Sequence, residues 1–211
     1  MNPPAPASNR HEQARTTTTK DAFLDAAEQL FAERGVAATP VTDVVETADR
    51  SIGSLYHHFT NKDGLVAAVV DRLLDQLELG VTLGIDPDRW QGSSIEDVVT
   101  GYVTSSLRTA VGRPGYKRIL VEVSFTDPEV DRRYREARRR LDAGLVDLLL
   151  ARRNEIGHAS PETAARFAID QLTGMLAARL EAATPTQLDD APDEVFAAEA
   201  VASVVAHLAL G

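Results

Sequence analysis

Residues 23–70 carry the clearest helical pattern of the chain: FLDAAEQLFAERGVAATPVTDVVETADRSIGSLYHHFTNKDGLVAAVV. Apolar residues recur at steps of three and four, the spacing that places them on one side of a helix. Gly35 and the pair Asp49-Arg50 interrupt the pattern, and Pro40, with Thr39 as its cap, restarts it. Because glycine is typical of helix ends and proline of first turns, the segment predicts four successive helices.

The two short central helices predict a helix-turn-helix unit. In the second of them, Leu55 and Phe59 supply an apolar inner side that can rest on the flanking helices. The outer side carries small or hydrogen-bonding groups: Ser51, Gly53, Ser54 and His58. A helix with this profile can enter a DNA major groove, which is about 12 Å wide.

The same segment resembles the N-terminal domain of the TetR family of transcriptional regulators. The matching elements are AA-x-x-LF-x-x-x-G from Ala26, Thr39 at the second helix, and S-x-G-S-LYHHF-x-x-K from Ser51 to Lys62. The family usually has Gly-Val where this chain has Asp49-Arg50. Arg50 either lays its aliphatic stem over the core or contacts a phosphate, and we favour the phosphate.

The resemblance implies an all-α protein with two parts. The first is an N-terminal three-helix helix-turn-helix DNA-binding domain, expected over residues 16–62 after a disordered arm of residues 1–15. The second is a larger C-terminal helical domain that binds an effector and dimerises, expected over residues 63–211. The implied partners are a double-stranded DNA operator, a second copy of the chain and a small-molecule effector of unknown identity.

The resemblance also implies which residues contact DNA. These are Thr39, Thr42, Arg50, Ser51, Ile52, Gly53, Ser54, Tyr56, His58 and Lys62. Ordinary capping or solvation is the alternative for Thr42 and Ser54, and a bracing role in packing is the alternative for Tyr56. Of the adjacent pair His57 and His58, we expect one to pack inward while His58 faces the groove.

This set lacks the Arg, Asn and Gln side chains that commonly make bidentate base contacts. We therefore expect Ile52 to meet a thymine methyl group and DNA shape to carry much of the specificity. Adjacent helical residues diverge by about 100°, so His57 and His58 cannot chelate one metal ion, and we expect no metal site.

Composition limits the remaining classes of function. The 211 residues carry a formal net charge of −10 and contain no cysteine, which excludes thiolate metal sites, a cysteine nucleophile and a uniformly basic coat for nucleic acid. Phosphate-loop, nucleophile-elbow and dinucleotide motifs are absent from the sequence. We expect a cytoplasmic regulator that is not an enzyme, binds no cofactor and does not contact a membrane. A helical small-molecule carrier or a transcriptional activator on the same scaffold is the alternative.

The C-terminal two thirds predict further helices but fewer roles. Possible walls of an effector cavity are Trp90, Tyr102, Tyr116, Phe125 and Met175. Apolar positions of the last two helices that we expect at a dimer interface are Phe167, Leu172, Leu176, Leu180, Val201, Val205 and Leu208. Six arginines between Arg132 and Arg140 form either a site for an acidic partner or a solvated face paired with nearby carboxylates, and we favour the second.

Overall fold

The computed structural model describes residues 7–181 and 190–210, with side chains described for residues 19–180 and 190–210. These ranges contain helices and turns and no strand, which confirms the all-α prediction. The helices are α1 (Ala7–Arg34), α2 (Val41–Thr47), α3 (Ile52–His58), α4 (Lys62–Gly84), α5 (Ile95–Gly112), α6 (Tyr116–Ser124), α7 (Pro128–Leu150), α8 (Pro161–Glu181) and α9 (Asp193–Leu208). Short 3-10 helices lie at Pro87–Trp90 and Arg153–Glu155. Within the described ranges, no helix has both the length and the apolar composition that a membrane crossing requires.

Polar side chains cap α3, α4, α5 and α7 where the sequence predicts it. Ser51 Oγ accepts from Ser54 N at 3.2 Å, and Asn61 Oδ1 accepts from Gly64 N at 2.9 Å. Proline begins α7 and α8 as predicted. At α2 the prediction was wrong, because Pro40 itself is the N-cap residue and no side chain caps the helix.

Two apolar clusters hold the helices together. The first joins α1, α2, α3 and α4, and it also takes in Ile119 and Leu120 of α6 and Val130 of α7. The second joins α5, α7, α8 and α9, with Trp90 at its edge. Helix α6 therefore packs on α1 and α4, the two helices that flank the helix-turn-helix unit.

The predicted division at residue 62 falls at the first residue of α4, a helix that continues into the C-terminal part. The buried face of α4 contributes to the first cluster from Leu65 as far as Leu74. The predicted arm, residues 1–15, overlaps the start of α1 at Ala7, and residues 1–6 lie outside the described residues. Both boundaries stay predictions.

Candidate nucleic-acid interface and ligand cavity

Helix α3 has one buried side and one exposed side. Leu55 is fully buried and Phe59, which follows the helix, is 4% exposed. On the exposed side, Ile52 of the first turn is 44% exposed and Tyr56 is 52% exposed, although both side chains are large and mostly apolar. A Cβ added to Gly53 would meet no atom within 4 Å, so this side also has open space above it. We call the exposed residues Ile52, Gly53, Tyr56 and His57 the recognition face.

The two histidines occupy the reverse of their predicted positions. His57 is exposed, whereas His58 is partly buried with its ring centroid 6.3 Å from that of Phe23. Burial, and then the nearby charges of His57 and Lys20, lower the pKa of His58 from 6.5. The reason is helical geometry: His58 lies three residues after the buried Leu55 and shares its side, while His57 follows Gly53 by four residues.

Thr39 is the predicted DNA contact that the structure places in the interior. It is 1% exposed, and its hydroxyl donates to the carbonyl oxygens of Gly35 at 2.8 Å and Leu30 at 3.4 Å. The Thr39 side chain therefore ties the end of α1 to the start of α2, and a phosphate contact by Thr39 stays a prediction. Thr42, one turn later, is exposed.

The other predicted contacts lie around the recognition face. Arg50 is exposed and donates to the carbonyl oxygen of Asp49 at 2.8 Å, so its guanidinium is held outside the core. Lys62 is partly buried, and its ammonium donates to the carbonyl oxygen of Ala37 at 3.3 Å. Ser51 and Ser54 are joined to each other through the cap of α3.

The turn between α2 and α3 has a left-handed residue, Asp49, with φ of 51°. Glycine adopts this region without steric cost, and aspartate tolerates it better than most residues. This position is where the resembled family usually has glycine. The chain thus makes the same turn with a residue that is slightly strained in it, and the turn sets the direction in which α3 leaves α2.

A cavity of about 190 Å³ lies between α4, α5, α6 and α7. Trp90, Tyr102 and Tyr116 line it, as predicted from sequence. Two predicted wall residues do not: Phe125 is 83% exposed at the end of α6, and Met175 packs against the second cluster from α8. Sequence reasoning missed further lining residues because α4 and α7 supply them, among them Leu77, Tyr134, Arg138 and Leu141.

Several predicted dimer residues belong to the core of the single chain. Leu172 and Leu208 are fully buried, Leu176 is 2% exposed and Val201 is 9% exposed, all within the second cluster. These four pack within the core of one chain, and their place at a dimer interface stays a prediction. Leu180 and Val205 are partly buried, and Phe167 is 57% exposed.

The arginine-rich stretch of α7 is largely engaged in ion pairs. Arg133 reaches Asp71, Asp75 and Glu78 of α4 at 2.8 to 3.2 Å, and these contacts raise its pKa above the usual value. Three more of the arginines pair along α7 itself: Arg132 with Glu129, Arg135 with Asp131 and Arg139 with Glu136. The favoured interpretation, a face paired with nearby carboxylates, is therefore the one that the structure supports.

A carboxylate of α6 connects the cavity region to the helix-turn-helix unit. Glu122 Oε1 accepts from Val36 N at 3.0 Å and from Ala37 N at 3.3 Å, in the turn that ends α1. The first turn of the same helix carries Tyr116 and Lys117, which line the cavity. One short helix thus touches both candidate sites.

Comparisons with known proteins agree with the geometry. Residues 23–69 match the family model described as bacterial regulatory proteins, tetR family. The chain is 40% identical over 77 residues to the HTH-type transcriptional repressor KstR2 of Rhodococcus jostii, a match that covers 36% of each protein. It is 46% identical over 57 residues to the HTH-type transcriptional repressor ComR of Escherichia coli, over 27% of each. The alignments span about a third of the length of these curated relatives.

Solved structures match over nearly the whole chain. A regulatory protein of the tetR family from Rhodococcus RHA1 has a TM-score of 0.65 at 19% identity, covering 92% of this chain and 98% of its own. A putative tetR-family transcriptional regulator from Mesorhizobium loti has a TM-score of 0.62 at 21% identity, covering 92% and 97%. At 19% and 21% identity, this likeness shows a shared fold and nothing more.

Proposed function

We propose that this chain is a DNA-binding transcriptional regulator of the TetR family, a proposal that the match of residues 23–69 to that family's model supports. In this proposal it represses from a pseudo-palindromic operator and leaves the DNA when a small molecule binds. The observation that carries the proposal is the recognition face. Large residues stand exposed on α3 directly above a fully buried Leu55, an arrangement that positions a helix for insertion into a groove.

DNA binding by this chain requires two copies acting together. Phosphate neutralisation by Lys and Arg supplies most non-specific affinity for DNA, and the formal charge here is −10. One recognition face with Arg50 and Lys62 beside it offers few cations. A homodimer doubles them and places two recognition helices about 34–36 Å apart on one side of the duplex.

We assign the dimer contact to the exposed faces of α8 and α9. Phe167 of α8 and Val195 of α9 are 57% and 46% exposed, although isolated apolar side chains of this size gain from burial. Gly174 of α8 and Ala202 of α9 are exposed small residues on the same helices, which allow close approach of partner helices. These positions replace the four buried residues of the sequence prediction.

The cavity supplies the effector site, and α6 connects the cavity to the turn between α1 and α2. A ligand that contacts Tyr116 and Lys117 acts on the helix whose Glu122 holds the turn after α1. A ligand shifts the equilibrium only if it binds one arrangement of the two recognition helices better than the other. Release of DNA then follows from a changed spacing of the two helices.

Selection of DNA from a random pool, followed by mobility shifts in graded salt, tests this proposal. We expect enrichment of an inverted repeat bound by a dimer. Tyr56→Ala and Lys62→Ala should each weaken the complex, whereas Arg108→Gln, which removes an exposed charge from α5, should not. Tyr56→Phe keeps the ring and isolates the contribution of the hydroxyl. A pool without enrichment, or a complex indifferent to both alanine variants, would contradict the proposal.

A scan of single base changes in the selected operator tests the expected mode of readout. The recognition face has no Arg, Asn or Gln. A base change at most operator positions should therefore weaken binding by less than about 2 kcal/mol, since one mismatch typically costs about 1–3 kcal/mol. If base changes at several positions each cost more than this, residues outside the recognition face must read the bases directly.

A further inference from the structure

The side chains that line the cavity differ in charge from the rest of the chain. Four cationic residues line it, Arg89, Arg113, Lys117 and Arg138, and the described lining includes neither Asp nor Glu. The chain as a whole has 32 acidic and 22 basic residues, so a random patch of surface would contain more carboxylates than cations. The cavity is therefore a local reversal of the protein's charge.

The cavity is long, and its two ends differ in chemistry. Gly101 lies against the ring of Trp90 at one end, and Arg113 lies twelve residues further along α5, about 18 Å at the rise of a helix. At the Arg113 end, Lys117 and the phenols of Tyr116 and Tyr134 add hydrogen-bond donors.

The middle and the Trp90 end supply apolar walls. Leu77 and Val81 of α4 line the cavity together with Leu141 and Leu145 of α7. Trp90 is 9% exposed, and its indole N–H donates to the carbonyl oxygen of Gly84 at 2.7 Å, which fixes the ring as a wall. A ligand that fills the cavity thus meets hydrocarbon along its body, Arg113 and Lys117 at one end, and Arg89 beside Trp90 at the other.

Arg113 occupies a position from which it can exchange partners. Its guanidinium contacts Glu28 of α1 at 3.3 Å, and the same carboxylate oxygen lies closer to Arg72, at 2.7 Å. A ligand anion can therefore take up Arg113 while Glu28 keeps its shorter contact with Arg72. The exchange removes one link between the cavity and α1.

From these features we propose that the effector is an organic anion: an elongated apolar or aromatic body ending in a carboxylate, sulfonate or phosphate group. The anionic group binds at Arg113 and Lys117, and the body extends toward Trp90. This inference rests on the proposed function for its regulatory meaning, but the binding preference is a property of the cavity alone. Charge-assisted hydrogen bonds in a partly enclosed site give the preference its physical basis.

Three ligands with one body and different head charges test the preference: 4-phenylbutanoate, 4-phenylbutan-1-ol and 4-phenylbutylammonium. Trp90 is the single tryptophan of the chain and lies on the cavity wall, so its fluorescence reports binding directly. We expect the carboxylate to bind about tenfold more tightly than the alcohol, from the difference between charged and neutral hydrogen bonds, and the ammonium to bind most weakly. Equal affinities, a preference for the ammonium, or no saturation with any of the three overturns the proposal.

Substitutions of the cationic residues test where in the cavity the anionic group binds. Arg113→Gln should reduce carboxylate affinity about fivefold and leave alcohol affinity unchanged, which general damage to the cavity would not do. Arg113→Gln with Lys117→Gln should abolish the preference, whereas Arg108→Gln should retain it. A preference that survives the double change overturns the assignment of the anionic end.

The two proposals fail in different ways. If the carboxylate preference holds but no DNA is selected, the cavity assignment stands and the regulatory function is wrong. If an operator is selected but the three ligands bind alike, the regulator stands and the effector class is wrong.

Discussion

Helices α3 and α7 use charge in opposite ways. The recognition face of α3 consists of Ile52, Gly53, Tyr56 and His57, without Lys, Arg, Asp or Glu. Helix α7 carries six arginines between Arg132 and Arg140, and most of them pair with carboxylates of α4 or of α7 itself. A search by charge alone would place nucleic acid on α7. We propose α3 instead, because large residues are exposed there above a buried Leu55.

The difference shows that the partner of a charge matters more than the number of charges. An arginine already bound by three carboxylates has little to offer a phosphate, because binding would first require those contacts to break. An uncharged helix with open space above it presents shape to a groove and leaves phosphate contacts to its neighbours. Substitutions on α3, on α7 and in the turn between α2 and α3 test this contrast.

The largest expected effect on stability is the difference between a substitution on the buried side of α3 and one on its exposed side. Leu55→Ala removes a fully buried side chain and should lower the free energy of unfolding by about 2–5 kcal/mol. Tyr56→Ala, at a residue 52% exposed on the opposite side, should change it by less than about 1 kcal/mol while weakening operator binding. Urea unfolding followed by circular dichroism, with mobility shifts in parallel, measures both. A costly Tyr56→Ala and a harmless Leu55→Ala would reverse our assignment of the sides.

The next effect concerns the arginines of α7. Arg133→Gln leaves Asp71, Asp75 and Glu78 without their shared cation and should destabilise the α4–α7 contact by about 1 kcal/mol, less at high salt. Arg139→Gln, at an exposed pair within one helix, is the matched control and should be neutral in stability. Neither change should alter DNA affinity in mobility shifts. A loss of affinity with Arg139→Gln would mean that α7 contacts DNA and that the contrast with α3 is false.

Sequence reasoning located the fold and the recognition helix because both depend on local signals. Helical spacing, Gly35, Ser51 and Asn61 each act within a few residues, so the sequence alone predicts their consequences. The exchange of His57 and His58 was also readable, since counting from Leu55 places His58 on the buried side. The burial of Thr39 was not, because it depends on how α2 packs against α1.

The roles of C-terminal residues were harder to predict, because an apolar helix face can be buried by the same chain or by a second copy. Periodic Leu and Val residues show that a helix face is covered, but not whether the same chain or a second copy covers it. Leu172 and Leu208 were expected at a dimer contact and lie in the core of one chain. The cavity depends on four helices that are distant in sequence, so Arg138 and Tyr134 could not be joined to Trp90 before the fold was known.

A smaller effect is expected at the turn that directs α3. Asp49 has φ of 51°, so Asp49→Gly should relieve strain and stabilise the protein by about 0.5 kcal/mol, while Asp49→Ala should destabilise it by a similar amount. Thermal unfolding of the parent protein and the two variants measures the order of their stabilities. If Asp49→Gly is the least stable of them, aspartate contributes a favourable interaction that exceeds the strain, and the turn is not an imperfect copy of the family's glycine turn.

The smallest effect separates the two histidines by pH. Burial lowers the pKa of His58 from 6.5, so below that pH the unfolded chain binds a proton that the folded chain resists. The unfolded state then holds more protons, and the free energy of unfolding should fall as pH drops from 7 through 6. His58→Gln removes this contribution and should make the decline shallower. His57→Gln should do so less, because the charge of His57 is only the second cause of the lowered pKa of His58. Urea unfolding at pH 5.5, 6.5 and 7.5 measures the decline: an unchanged decline for His58→Gln would mean that burial does not lower the pKa of His58, as expected of a histidine on the exposed side of α3.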